Sequence, residues 1–153
     1  MATLDEIRRA LDNDELDYPE LAHTYGASAL PQLKALVGED EPRIAPKAAY
    51  LAGVISEGSA MDVVALAAQS RHDVVRVAAA AASALLPVAH AEKIASDLLQ
   101  DHDPGVRVRA AKSAVTINTP MLIERLKTMA TKDTEPHIRD FATGVTGNTP
   151  QPR

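Results

Sequence analysis

Three histidines recur beside polar turns, His72, His102 and His137, and an arginine follows each within a few residues, Arg76, Arg107 and Arg139. Imidazoles in series suggest a metal, and arginines in series suggest an anion or a carboxylate. Neither motif chemistry is complete. No His-x-x-x-His or His-Glu-x-x-His occurs, and the remaining histidines, His23 and His90, stand apart. There is no cysteine, so disulfides, thiolate catalysis and Cys-ligated zinc are excluded. The serines lie outside any Gly-x-Ser-x-Gly turn, and the seven glycines are scattered rather than gathered into a phosphate loop. The clustered acids Glu39, Asp40 and Glu41 sit in a polar turn. Nothing apolar surrounds them to lift a pKa, so helix capping is expected of them rather than acid–base work. The expectation is a non-enzyme with no catalytic residue, no metal and no cofactor.

The elements that carry these residues repeat. Ile44, Val75, Val106 and Ile138 open four similar stretches, 31, 31 and 32 residues apart. Four positions on stand Ala48, Ala79, Ala110 and Ala142; seven on, Leu51, Ala82, Ser113 and Val145; eleven on, Ile55, Leu86 and Ile117. Offsets of 0, 4, 7 and 11 trace one face of an α-helix. Upstream of each lies a second apolar helical stretch: Ala29 to Val37, Met61 to Ala68, Ala89 to Leu99 and Pro120 to Ala130. Pro42, Pro104 and Pro136 precede their anchors by two residues, where a missing N–H costs nothing, and Glu41, Asp103 and Glu135 suit the positive helix end. No sustained alternation marks a strand. The period of about 31 residues predicts an all-α solenoid of stacked antiparallel helix pairs. Successive turns would then lie ~10 Å apart, too far for the three histidines to share an ion that needs nitrogens at ~2.1 Å.

The expected organisation is a single domain over 1–145, with four repeats in 27–145 and a degenerate N-terminal cap in 1–26. Leu4 to Leu11 and Tyr18 to Tyr25 read as the cap helices, with Leu21 and Tyr25 inward. Residues 146–153 are expected to be a disordered tail. The chain has 153 residues, a net charge of -5 and 3% aromatic residues. An acidic, aromatic-poor surface argues against nucleic acid. No apolar run spans a bilayer, and the acidic opening residues do not read as a secretory leader, so a cytoplasmic location is expected. The first 60 residues carry the acidic excess, and the rest is close to neutral.

Gln100 to Val115, QDHDPGVRVRAAKSAV, resembles the HEAT repeat family in its short bacterial form, with a core Asp-x-Asp-Pro-x-Val-Arg-x-x-Ala-Ala. Asp101, Asp103, Pro104, Val106, Arg107, Ala110 and Ala111 carry the match. The second repeat matches at Asp73 (displaced by one residue), Val75, Arg76, Ala79 and Ala80, and the fourth at Asp133, Ile138, Arg139 and Ala142. The first departs most, with Glu39 for the first Asp and Ala45 for the Arg; Ser70 replaces the first Asp of the second. The resemblance implies an internal ladder of arginines and turn aspartates between repeats: Asp101 with Arg107 and Asp133 with Arg139, with neighbours as further partners, and Arg76 turning to Asp101 or Asp73.

The resemblance also implies that the second helices line a concave face that binds protein. Offsets 3 and 6 on those helices, Lys47 and Tyr50, Ala78 and Ala81, Arg109 and Lys112, Phe141 and Gly144, are expected to point into it. The expected partner is a protein or peptide, acidic or amphipathic, across Tyr50, Arg109, Lys112 and Phe141. The alternative for the same residues is that the cations are simply solvated and Phe141 folds under the tail. Two other branches of the family offer different functions. One is a subunit of bilin lyases, which attach tetrapyrroles to phycobiliproteins, or a chaperone-like relative. The other is a solenoid on the DNA backbone, which the low pI contradicts.

Overall fold

The computed structural model describes residues 1–147. Ten α-helices follow one another: α1 (Leu4–Leu11), α2 (Tyr18–Tyr25), α3 (Leu30–Glu39), α4 (Ala45–Ile55), α5 (Ala60–Ala67), α6 (Asp73–Ser83), α7 (Val88–Leu98), α8 (Pro104–Ile117), α9 (Pro120–Lys132) and α10 (Pro136–Gly147). A single 3₁₀ turn, Ala27–Ala29, leads into α3, and no strand occurs among the described residues. Helices of each pair from α3/α4 to α9/α10 pack on one another, and the pairs stack so that odd helices form one layer and even helices the other.

Local chemistry sets the boundaries. Thr3, Asp17, Asp103 and Thr119 cap α1, α2, α8 and α9 by accepting an N–H from the first turn. Glu41 instead accepts the N–H of Ile44 at 2.9 Å, closing the turn that precedes α4. Pro104 and Pro136 open α8 and α10. Asp40, Ser56 and Asn118 end α3, α4 and α8 at φ of 55°, 53° and 58°, left-handed positions held here without glycine.

The core is one continuous cluster from Ile7 to Ala142. Every residue at offsets 0, 4, 7 and 11 of the second helices is buried or half-buried, and Ala49, Ala80 and Ala111 at offset 5 join them. Those alanines bring the even helices close. A Cβ added at Gly53 of α4 would stand 2.8 Å from the Ala82 Cβ of α6, so the two backbones are already at their nearest approach. Ser113 of α8 donates to the Ala80 carbonyl of α6 at 2.7 Å within the same contact layer. In the odd layer α5 and α7 barely meet, and a groove of about 360 Å³ lies between them. The even layer is packed more closely at α4 and α6 than the odd layer is at α5 and α7.

The chain's last helix is longer than its sequence pattern implies. α10 continues through Thr146 and Gly147, the start of the stretch expected to be tail, and Thr146 is buried with its hydroxyl donated to the Ala142 carbonyl at 2.6 Å. The expectation for residues 148–153 lies outside the described residues.

Candidate functional site

The arginine series forms a ladder in which Arg76 takes Asp101, one of its two expected partners, while Arg107 and Arg139 are threaded differently from the expectation. Arg76 reaches forward into the next repeat, with Nε donating to Asp101 Oδ2 at 2.8 Å and Nη2 to Asp101 Oδ1 at 3.2 Å. Its Nη1 donates to the Ser70 carbonyl of its own turn at 2.9 Å. Arg107 repeats this, with Asp133 at 2.9 and 3.1 Å and the Asp101 carbonyl at 3.0 Å. Arg139 Nη1 donates to the Asp133 carbonyl at 2.7 Å. The expected side-chain pairs Asp101–Arg107 and Asp133–Arg139 are therefore corrected: each arginine takes a backbone carbonyl from its own turn, and Arg76 and Arg107 also take a carboxylate from the following one. The own-turn carboxylate is unavailable because it faces the preceding repeat. There it closes its turn, Asp101 accepting the Asp103 N–H and Asp133 the Glu135 N–H, both at 2.9 Å.

This threading explains the two departures in the early repeats. The arginine of one repeat pairs with the aspartate of the next, so Ala45 and Ser70 are the two halves of one rung, absent together. Ser70 turns instead to Asp40, donating its hydroxyl to Oδ1. Burial alone would raise the carboxyls of Asp101 and Asp133. The hydrogen bonds from Arg76 and Arg107, the turn N–H groups and the guanidinium charges outweigh it and hold both below the usual carboxylate range. With side chains only 4–12% exposed, these four residues are structural, not open to a ligand.

Of the expected surface residues, Lys47 is already committed. Its Nζ donates to the Leu11 carbonyl at 3.0 Å and the Asn13 carbonyl at 2.9 Å, tying the end of α1 to α4. Ala78 and Phe141 are half-buried and pack against the core, Ala81 is half-buried, and Lys112 and Gly144 are exposed. Arg109 is half-buried, and its Nε has no hydrogen-bond partner among the described residues. Tyr50 meets Tyr18 of α2 edge-to-face, ring centroids 4.9 Å apart, and burial pushes the Tyr18 phenol up. The sequence reading missed Tyr18 as a surface residue because it took α2 only as a cap. Its signal was an aromatic at the first position of a short helix with no fully buried residue.

The histidines do not converge. His102 is exposed beside Asp101, and His72 lies 3.9 Å from Asp40. No group of three or more candidate ligands lies together among the described residues, and none of the described helices is long and apolar enough to cross a membrane.

The sequence profile of the HEAT repeats matches residues 60–144, more than half of the chain. The chain belongs to the HEAT repeat family. The match begins at α5 and ends within α10, so it covers the repeats that carry both complete rungs. The pair α3/α4, in which Ala45 stands for the ladder arginine, lies before it. No curated protein matches the chain. HEAT repeats generally mediate protein–protein interaction or scaffolding, and a protein partner is the general expectation for this one.

Proposed function

We propose that the chain is a non-catalytic scaffold that holds a protein segment against its even-helix face. One observation carries the reading. The interior cations of the HEAT array are engaged within it: Lys47 on carbonyls, Arg76 and Arg107 on carboxylates. Arg109 and Lys112 on α8 have no such internal partner among the described residues, although they share the even layer. Arginine with an unspent fork at the centre of a concave surface is a common anchor for a partner. An acidic or amphipathic helix lying across Tyr50, Arg109, Lys112 and Phe141 fits that pattern of side chains. The cytoplasm is the compartment proposed with it.

The test is capture from native lysate, followed by titration of the captured partner. Reversing Arg109 and Lys112 to glutamate weakens binding at least tenfold, about 1.4 kcal/mol, with unchanged helicity. Unchanged affinity would move the site to the turns or to the odd-helix face. Catalytic turnover by the purified chain, abolished by one substitution, would overturn the class.

A further inference from the structure

At the N-terminal end of the even layer, a groove of about 690 Å³ opens between the start of α2, the middle of α4 and the end of α6. That volume is in the range, ~300–1,000 Å³, of sites that take a small ligand or one large side chain. Tyr18, Tyr50, Leu16, Val54 and Leu85 line it, with Gly53 among them. Leu85 is 39% exposed, a large apolar side chain left uncovered at the groove mouth.

The charge around it has one sign. Asp17 is the charged residue of the lining. Its Oδ1 accepts the Glu20 N–H at 3.0 Å as the α2 cap, and Oδ2 has no partner. Glu15 and Glu20 flank it, both exposed and without an ion pair. The bases that could neutralise this corner are spent: Lys47 on the two carbonyls of the α1 end and Arg43 on Asp12. Two tyrosine rings, an aliphatic wall and an unspent carboxylate make a receptor for a cation on an apolar stem.

We propose that this groove seats an arginine or lysine side chain from a segment of a partner protein. The aliphatic stem lies along Leu16, Val54 and Leu85, and the charge meets Asp17 and the tyrosine faces. The inference deepens the even-face reading by naming a feature of the partner, but its test does not involve Arg109 or Lys112. The two can therefore fail separately.

The probes are three blocked pentapeptides that differ only in the central residue: arginine, its uncharged twin citrulline, or glutamate. Binding to the full chain is followed by two-dimensional NMR. The arginine peptide is expected to shift signals of Tyr18, Tyr50 and Leu85, with citrulline at least fivefold weaker and glutamate silent. Asp17→Asn keeps a good helix cap while removing the charge. It should weaken the arginine peptide at least threefold with the thermal midpoint retained. Equal binding of arginine and citrulline, preference for glutamate, no loss in Asp17→Asn, or shifts confined to another face would overturn the proposal. Groove shifts that track chain concentration without peptide would assign the groove to a second copy instead, and would overturn it too.

Discussion

Removing either half of the Arg107–Asp133 rung should cost far more than removing a surface pair of identical chemistry. Arg107 keeps only 12% of its side-chain surface and Asp133 only 4%. Besides the two-pronged contact, Arg107 Nη1 holds the Asp101 and His102 carbonyls at 3.0 and 3.2 Å, and Asp133 holds the Glu135 N–H. Asp133→Ala leaves the guanidinium fork and that N–H without their acceptor. Arg107→Ala leaves a desolvated carboxylate with only the N–H. Exposed ion pairs contribute ~0–1 kcal/mol, and breaking a deeply buried pair costs ~3–5 kcal/mol. This rung lies just under the surface, so about 2–3 kcal/mol per single substitution is expected, in line with hydrogen bonds to charged groups. The double variant should fall short of the sum, because the second substitution removes a group already stranded. Urea unfolding of the four chains of the cycle measures this. Arg8–Glu39 is the internal control, with side chains 36% and 39% exposed; removing it should leave the urea midpoint close to that of the parent. Additive losses below ~1 kcal/mol at Arg107 and Asp133 would refute the claim that the ladder is an energetic feature rather than a geometric one.

Acid should act through the same rungs. The folded Asp101 and Asp133 carboxyls titrate below their unfolded value of ~3.9. Their contribution is therefore fully present above that value and is lost as pH falls through the folded values. Asp133→Asn should flatten this part of a stability-against-pH curve, and an unchanged curve would sink the assignment. Gly53→Ala should destabilise by about 1 kcal/mol. Forcing α4 from α6 costs ~1–3 kcal/mol, partly offset by ~1 kcal/mol of helix propensity, and urea unfolding measures the net loss. Lys47→Met should loosen the α1 end by about 1 kcal/mol, seen as faster amide exchange at Asp12 to Leu16; exchange unchanged there would show that Lys47 is dispensable.

The helix pairs were legible because helical spacing of apolar and small residues is a property of one segment at a time. Val75, Ala79, Ala82 and Leu86 declare a face whatever they pack against. What a segment does not declare is which neighbour that face meets. The partner of Arg107 was therefore missed, since Arg107 lies 6 residues from Asp101 and 26 from Asp133 and can be told to choose Asp133 only once the stacking is known. Lys47 was read as surface for the same reason: its carbonyl partners, Leu11 and Asn13, lie 36 and 34 residues back in a segment with no matching repeat. Tyr18 carried too little pattern in an eight-residue helix to be assigned to a wall.

The absent rung between Ala45 and Ser70 gives the array an order of disassembly. The interface of α4 with α6 is held by close apolar contact at Gly53 and Ala82 and by the Ser56 hydroxyl on the Leu85 carbonyl. None of those groups titrates. The later interfaces lean on Asp101 and Asp133. Acid therefore loosens the array from its later repeats first, and the α4–α6 contact is the last to let go. Amide exchange at falling pH would show protection retreating to that contact, whereas heat, which weakens packing everywhere, would leave no such remnant.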